Sequence, residues 1–163
     1  MGILTNNYVF KALENYPYDL DEVMEALNYA LSYDDKNTMA LTLMGRVYAE
    51  KLYKYDEAIV YYKKALAENI YAFEAYPHYI NTLLWNEDYM DAEEFIDFAL
   101  TIKGSDKAVL YYKKAVLNEQ LKKYKKALTF IKLAKTNTFN SDFMETINEV
   151  KSRIKGKMPK KRK

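Results

Sequence analysis

His78 is the single histidine of the chain, and there is no cysteine, so few of the usual catalytic and metal-binding groups are present. The lack of cysteine excludes thiolate zinc sites, thiol catalysis and a disulfide framework. A Ser-His-Asp triad would have to use His78, which follows Pro77 early in a predicted helix and has no further ligand at helical spacing. We therefore predict a hydrogen-bonded or exposed histidine, no metal site and no cofactor.

Adjacent carboxylates are the other groups that could do chemistry, as general acids and bases. Each pair falls at the start or on the outer face of a predicted helix, where it complements the helix dipole and faces solvent. The four glycines are isolated, and no phosphate-binding loop pattern is present. The sequence thus predicts no catalytic residue and a protein that is not an enzyme. The pairs are Asp21-Glu22, Asp56-Glu57 and Glu93-Glu94.

The elements that carry these side chains are predicted to be helices, because glycine and proline are few and spread along the chain. The charges are segregated. Residues 1–100 hold 7 basic and 18 acidic side chains, a net charge of −11, whereas residues 101–163 hold 18 and 5, a net charge of +13. This asymmetry indicates an anionic partner for one end or head-to-tail association between copies. Lysines spread over solvated helix faces are the alternative interpretation.

A repeat of about 34 residues organises the chain. Small or β-branched anchor residues recur at intervals of 35, 34 and 35 residues, each followed after four positions by a larger apolar residue and after seven by alanine. Offsets of 0, 4 and 7 lie on one face of an α-helix, so each segment predicts an amphipathic helix. A second periodic helix precedes each one, and Gly45 on one of these would permit close helix approach. The anchors are Val23, Ala58, Ala92 and Ala127.

The second of these units carries a recognisable motif. It reads Gly45-x-x-Tyr48, then Tyr55-Asp56-Glu57-Ala58-Ile59-x-Tyr61-Tyr62-Lys63-Lys64-Ala65-Leu66. This segment resembles a tetratricopeptide repeat (TPR), and the resemblance extends in register over roughly residues 5–136. It implies an all-α, right-handed α-solenoid of about four TPR-like helix-turn-helix hairpins plus a C-terminal capping helix. Such units bury their apolar faces by stacking on their neighbours.

We expect a single domain over residues 1–156. Ser141 or Asp142 is expected to cap a final helix, and Gly156 to stop it. The predicted hairpins cover approximately residues 5–34, 38–70, 73–103 and 107–136, the cap helix 141–155, and a disordered basic tail 157–163.

The resemblance to TPR arrays implies a protein–protein adaptor or scaffold that holds a peptide or helix of a partner in a concave groove. The groove would be lined by the first helix of each hairpin, and Thr42 falls on the same face. Trp85 is the strongest single candidate, because tryptophan is enriched in binding hot spots. Only Lys113 matches the clamp with which some TPR proteins hold a C-terminal carboxylate, so that ligand is not predicted. The groove candidates are Arg46, Glu50, His78, Asn81, Trp85, Tyr112, Lys113 and Glu119.

Two alternatives remain open for the basic C-terminal third. It could bind nucleic acid or another anionic surface electrostatically, or the chain could be a structural subunit that self-associates in a salt-sensitive way. Nucleic acid is the less favoured partner, because Phe143 is the only aromatic residue beside the basic residues of the last helix. No signal peptide or apolar stretch of membrane-spanning length is present, so we expect a cytoplasmic location and no membrane span. The tail candidates are Lys157, Lys160, Lys161, Arg162 and Lys163.

Overall fold

A computed structural model of the chain describes residues 2–161, and this part is all-helical, with nine α-helices and no strand. The all-α prediction is confirmed. None of the helices in the described part is long and apolar enough to cross a membrane. The helices are α1 (Gly2–Asn15), α2 (Leu20–Tyr33), α3 (Thr38–Arg46), α4 (Tyr55–Glu68), α5 (Ala75–Trp85), α6 (Tyr89–Thr101), α7 (Lys107–Gln120), α8 (Tyr124–Thr136) and α9 (Ser141–Lys157).

The helices group into two compact units. Unit 1 comprises the described residues up to Glu87 and contains α1 to α5; unit 2 begins at Asp88 and contains α6 to α9. The boundary lies between α5 and α6, so the two helices of the predicted third hairpin belong to different units. The single-domain organisation stays a prediction.

The repeat anchors lie at the centre of the packing. Val23, Ala58, Ala92 and Ala127 are all fully buried, and so are the alanines seven positions after each of them. A side chain larger than alanine at Ala58, Ala92 or Ala127 would hold neighbouring helices apart, whereas the first repeat accommodates the larger Val23. The positions four after the anchors supply the bulk that fills the remaining space. They are Leu27, Tyr62, Ile96 and Ile131.

Gly45 allows the ring of Tyr62 on α4 to approach the backbone of α3 closely. A Cβ atom built on Gly45 would lie 2.7 Å from Cε1 of Tyr62, whose ring is fully buried. At this point of the α3–α4 pair, the ring of Tyr62 therefore packs directly against the backbone of α3. Beyond Arg46 the helix widens into a single π-helical turn, Val47–Lys51, which Leu52 closes with a 3.2 Å hydrogen bond to the carbonyl of Val47. Such turns are frequent at functional sites.

Three of the turns between paired helices contain a residue in the left-handed backbone conformation, which the sequence does not reveal. Tyr53, Glu87 and Lys122 have φ angles of 53°, 58° and 60°, in the left-handed region that side-chain-bearing residues rarely adopt. They are spaced by 34 and 35 residues, so each ends the first helix of its repeat at the same point. Glycine or asparagine is the usual residue at such a position, and the absence of both hides the turn from sequence inspection.

The C-terminal helix differs from its prediction at both ends. Asn140, rather than Ser141 or Asp142, is the N-cap, and its side chain accepts a 2.9 Å hydrogen bond from the amide of Phe143. Gly156 does not stop the helix, which continues through Lys157. The buried face consists of Ile147, Val150 and Ile154, packed on α7 and α8 residues that include Ala115 and Ile131.

Gly45→Ala should lower the free energy of unfolding by about 1–3 kcal/mol, the usual cost of overpacking, although alanine is the better helix former. Gly156→Ala is the matched control, because nothing lies within 4 Å of the added Cβ in α9. It should raise the free energy by about 0.5–1 kcal/mol. Urea denaturation measures both. A Gly45→Ala variant as stable as the wild type would show that the Tyr62 ring moves aside freely.

Candidate functional site

The predicted groove residues lie on the first helices of the hairpins, but in two different units. In unit 1 they occupy α3, the π-helical turn after it, and α5; in unit 2 they occupy α7. The two sets are in different chemical settings.

In unit 1, Glu50 is the centre of a polar cluster. Its carboxylate accepts a hydrogen bond from the Tyr16 hydroxyl and one of 3.2 Å from Arg46 Nε. His78 Nδ1 lies 3.4 Å from Glu50 Oε1. The guanidinium carbon of Arg46 is 4.7 Å from the centroid of the Tyr16 ring, a cation–π contact. We call Tyr16, Arg46, Glu50 and His78 the Glu50 cluster. It joins α3 and its π-helical turn to α5 and to the residue that follows α1.

The ionisation of the cluster follows from its partners. Burial acts to raise the pKa of Glu50, but the hydrogen bonds from Tyr16 and Arg46 and the neighbouring positive charge outweigh it, so the pKa lies below its ordinary value. Burial, reinforced by the bond to Glu50, raises the pKa of Tyr16. Glu50 is therefore a charged acceptor at neutral pH, and Tyr16 is a neutral donor. The carboxylate is already engaged, which makes it a poor general base.

Beside the Glu50 cluster lies a small cleft of about 150 Å³, which we call the Thr42 cleft. Thr42 is only 4% exposed, and no group in residues 2–161 forms a hydrogen bond with its hydroxyl oxygen. Native proteins rarely leave such an atom unpaired. Thr42 lies in the cleft wall, so a water molecule or a ligand group that enters the cleft can pair with its hydroxyl. The cleft is lined by Leu13, Met39, Thr42, Leu43, Arg46, Glu74 and His78.

The remaining unit 1 candidates lie further along α5. Asn81 is partly buried. Trp85 is the last residue of α5 and is 49% exposed, and its ring lies 6.2 Å from that of Tyr55 at the start of α4. The structure thus places the tryptophan at the helix end, against the second helix of the preceding hairpin, and not in the Thr42 cleft.

In unit 2, the face of α7 is occupied by α9. Glu119, predicted to be exposed in the groove, is buried, and it accepts two hydrogen bonds from Arg153 at 2.8 and 2.6 Å. Lys157 Nζ lies 2.8 Å from the same carboxylate. Hydrogen bonds from Arg153 lower the pKa of Glu119 against the opposing effect of burial. Glu119 therefore fastens α9 to α7 and is not exposed as the groove prediction expected.

The other two α7 candidates, Tyr112 and Lys113, also make contacts at this surface between α7 and α9. The ring of Tyr112 meets that of Phe143 of α9 edge to face at 5.5 Å, and Lys113 Nζ lies 5.7 Å from the centroid of the Tyr112 ring. Burial lowers the pKa of Lys113. α9 thus takes the position on α7 at which the resemblance predicted a partner.

The predicted basic tail is only partly a tail. Lys157 is the last residue of α9 and pairs with Glu119, which corrects its assignment to a disordered segment. Lys160 and Lys161 follow the helix and are exposed, whereas Arg162 and Lys163 lie outside the described residues. Within residues 2–161 no group of three or more histidine, aspartate or glutamate side chains is arranged to hold a metal ion.

Two residues were missed from the sequence, Tyr16 and Arg153. Each lies one repeat from the glutamate that it contacts: Tyr16 is 34 residues before Glu50, and Arg153 is 34 residues after Glu119. Glu50 and Glu119 in turn stand at the same repeat position, eight residues before Ala58 and Ala127. Complementary polar groups one period apart were the signal that could have found them.

The crystal structure of MamA, a protein of TPR-like fold, is similar to this chain, with a TM-score of 0.72 and 19% sequence identity. The match covers 96% of this chain and 85% of the MamA chain. At this identity the likeness shows the fold, and it supports the TPR-like architecture inferred from the repeat. No family model and no curated protein matches the chain.

Glu119→Gln should reduce stability in a pH-dependent way. Because the folded-state pKa of Glu119 is lowered, the stabilisation is fully present above the ordinary glutamate pKa of 4.5 and is lost as pH falls through the folded value. The difference in unfolding free energy between wild type and variant should therefore be constant near neutral pH and shrink on acidification. Glu145→Gln, at an exposed site on α9, should give a smaller difference. A difference independent of pH would contradict the assigned role of Glu119.

Thr42→Val should raise the free energy of unfolding by about 1 kcal/mol, because it removes a buried hydroxyl that lacks a partner while keeping the side-chain shape. Thr82→Val is the control, since the Thr82 hydroxyl donates a 2.8 Å hydrogen bond to the His78 carbonyl. That variant should be unchanged or less stable. Thermal and urea unfolding of both variants measure the sign of each effect, and a destabilised Thr42→Val would mean that its hydroxyl is paired in the free protein.

Proposed function

We propose that this protein is a non-enzymatic adaptor or scaffold that binds a peptide or helix of a partner protein in the Thr42 cleft of unit 1. The TPR-like fold supports a binding role, because its paired helices present a preformed surface and the receptor then loses little conformational freedom on binding. The observation that carries the location is the buried, unpaired hydroxyl of Thr42.

The chemistry of the cleft indicates the kind of side chain that it takes. Its wall combines the apolar side chains of Leu13, Met39 and Leu43 with the Thr42 hydroxyl. A volume of about 150 Å³ holds one medium-sized apolar group. We therefore expect one apolar anchor residue of the partner in the cleft and a backbone or side-chain polar group opposite Thr42.

The rim adds polar specificity. Arg46 and His78 reach the cleft but are oriented by Glu50, so their rotamers are held before the partner arrives. Glu74 is exposed at the edge and forms no ion pair within the described residues. A basic residue next to the apolar anchor would pair with that carboxylate, so we expect a partner segment in which an apolar and a basic side chain are neighbours.

The corresponding face of unit 2 argues for unit 1 as the binding surface. The α7 residues Tyr112 and Glu119 are contacted by α9, which is anchored by a buried apolar face and two cationic side chains. A partner would have to displace these contacts to reach α7. The Thr42 cleft is open.

A site-specific crosslink tests the proposal. A photoreactive amino acid replaces Met39 at the cleft or, as control, Val60 on α4, two side chains of similar exposure at 42% and 50%. After irradiation in native lysate, the Met39 variant should form a discrete adduct that the Val60 variant lacks. Identical adducts at both positions, or none at Met39, would refute the proposed site.

Adding Thr42→Val to the Met39 crosslinking variant separates binding from folding. This substitution is expected to stabilise the fold, yet it removes the polar group that we assign to the partner. The adduct yield should fall severalfold while the protein becomes more resistant to urea. An unchanged yield would show that the Thr42 hydroxyl does not contact the partner.

A further inference from the structure

The turn between α7 and α8 and the helix that follows carry a dense, uncompensated positive charge. From Leu121 to Ser141 the chain contains no aspartate or glutamate but six lysines. None of the six forms an ion pair within the described part of unit 2. A cluster of this kind is an anion-attracting surface rather than a solvated face of mixed charge. The lysines are Lys122, Lys123, Lys125, Lys126, Lys132 and Lys135.

Four of these lysines surround a cleft of about 510 Å³, which we call the basic cleft. Its floor is apolar, made by Tyr124 at the start of α8 and by Met158 and Pro159, which follow α9. Lys160 and Lys161 continue from this floor and are exposed. The cleft therefore combines lysine side chains with an apolar lining. It is bordered by Lys122, Lys123, Lys125 and Lys126.

The lysines of the basic cleft are held in place by the backbone. Lys122 is the left-handed residue of the turn, and its amide donates a 2.9 Å hydrogen bond to the carbonyl of Glu119. The amide of Lys123 donates one of 2.8 Å to the carbonyl of Asn118. The positions of the Cα atoms are thus fixed before any ligand binds, and only the flexible lysine stems must adapt.

Like charges also face one another across α8 and α9. The positive charges of Lys135 and Lys155 lower the pKa of Lys151. Unit 2 therefore carries repulsion between like charges on its surface, and a bound polyanion would relieve it.

We propose that the basic cleft docks unit 2 on the surface of a bilayer that contains anionic lipid. Lysine clusters of four to eight residues are attracted to such surfaces, where each contributes through its charge and its stem lies along the apolar boundary. Met158 and Pro159 in the lining of the basic cleft supply an apolar contact that fits the level of the lipid headgroups.

The alternative, a nucleic acid, fits this surface less well. Binding of single strands uses exposed aromatic rings for stacking and arginine forks for phosphates. The one aromatic ring of the basic cleft, Tyr124, is partly buried, and Arg153 of α9 is bound to Glu119. A lysine cluster that lacks both a free arginine and an exposed aromatic ring favours an anionic lipid surface over a single strand of nucleic acid.

Vesicle flotation tests the proposal with the full chain. Vesicles of phosphatidylcholine alone are compared with vesicles in which about a third of the lipid is phosphatidylserine. The wild type should float only with the second kind and dissociate at high salt. Replacing the four lysines of the basic cleft by glutamine should lower the partition coefficient by about two to three orders of magnitude. Changing Lys36, Lys54, Lys63 and Lys64 of unit 1 to glutamine removes the same charge and should have little effect.

A second measurement does not depend on removing charge. The chain has no cysteine, so Met158→Cys can carry a polarity-sensitive dye, with Tyr18→Cys, at a position 92% exposed in unit 1, as control. The dye at position 158 should shift to the blue on phosphatidylserine vesicles, and the dye at position 18 should not. Equal loss of flotation in both glutamine variants, no shift at position 158, or binding only to an oligonucleotide or polyglutamate would overturn the proposal.

Discussion

The close approach of paired helices at small residues is the constraint on which the rest of this structure depends. Alanine at Ala58, Ala92 and Ala127 lets paired helices come close, and a tyrosine or isoleucine four residues later on the same helix fills the space that remains. At Gly45 the ring of Tyr62 comes from the facing helix. Interiors pack at crystal-like density, so neither a larger anchor nor a smaller filler fits without cost. The regular spacing of these contacts gives equivalent positions of the repeats a similar local setting.

Because the hairpins repeat, equivalent positions carry equivalent geometry, and their chemistry is set by what lies one period away. Glu50 and Glu119 stand at the same point of their repeats, and both are charged acceptors with pKa values below the ordinary range. Glu50 is partly open and orients Arg46 beside a cleft, whereas Glu119 is buried under α9 and serves as an attachment point. The same repeat position thus orients Arg46 beside a cleft in unit 1 and attaches α9 to α7 in unit 2.

The two parts of the chain with opposite net charge carry clefts of different chemistry. The acidic first part of the chain contains the Thr42 cleft, with an unpaired hydroxyl and a free carboxylate at its rim. The basic last part contains a cleft that combines lysine side chains with an apolar lining. An adaptor with two chemically opposite surfaces can engage two partners of different kinds, and we propose this division of roles between the two units.

The sequence by itself determined the helical class, the 34-residue period, the buried anchors and the exclusion of thiol and thiolate chemistry, because each rests on local periodicity or on residue types. Helical spacing placed Arg46 and Glu50 on one face, and the resemblance to TPR arrays assigned His78, on a different helix, to the same groove. Only the tertiary structure decided that Glu119 and Lys157 are paired within the chain, that Trp85 packs at a helix end, that Tyr16 contacts Glu50, and that the Thr42 hydroxyl is buried. These facts depend on which helix covers which, and on a π-helical turn and left-handed turn residues that have no marker in the sequence. Burial and pairing depend on which residues are neighbours in space. A sequence pattern reports them only where the repeat separates two partners by one period, as it does for Tyr16 and Glu50 and for Arg153 and Glu119.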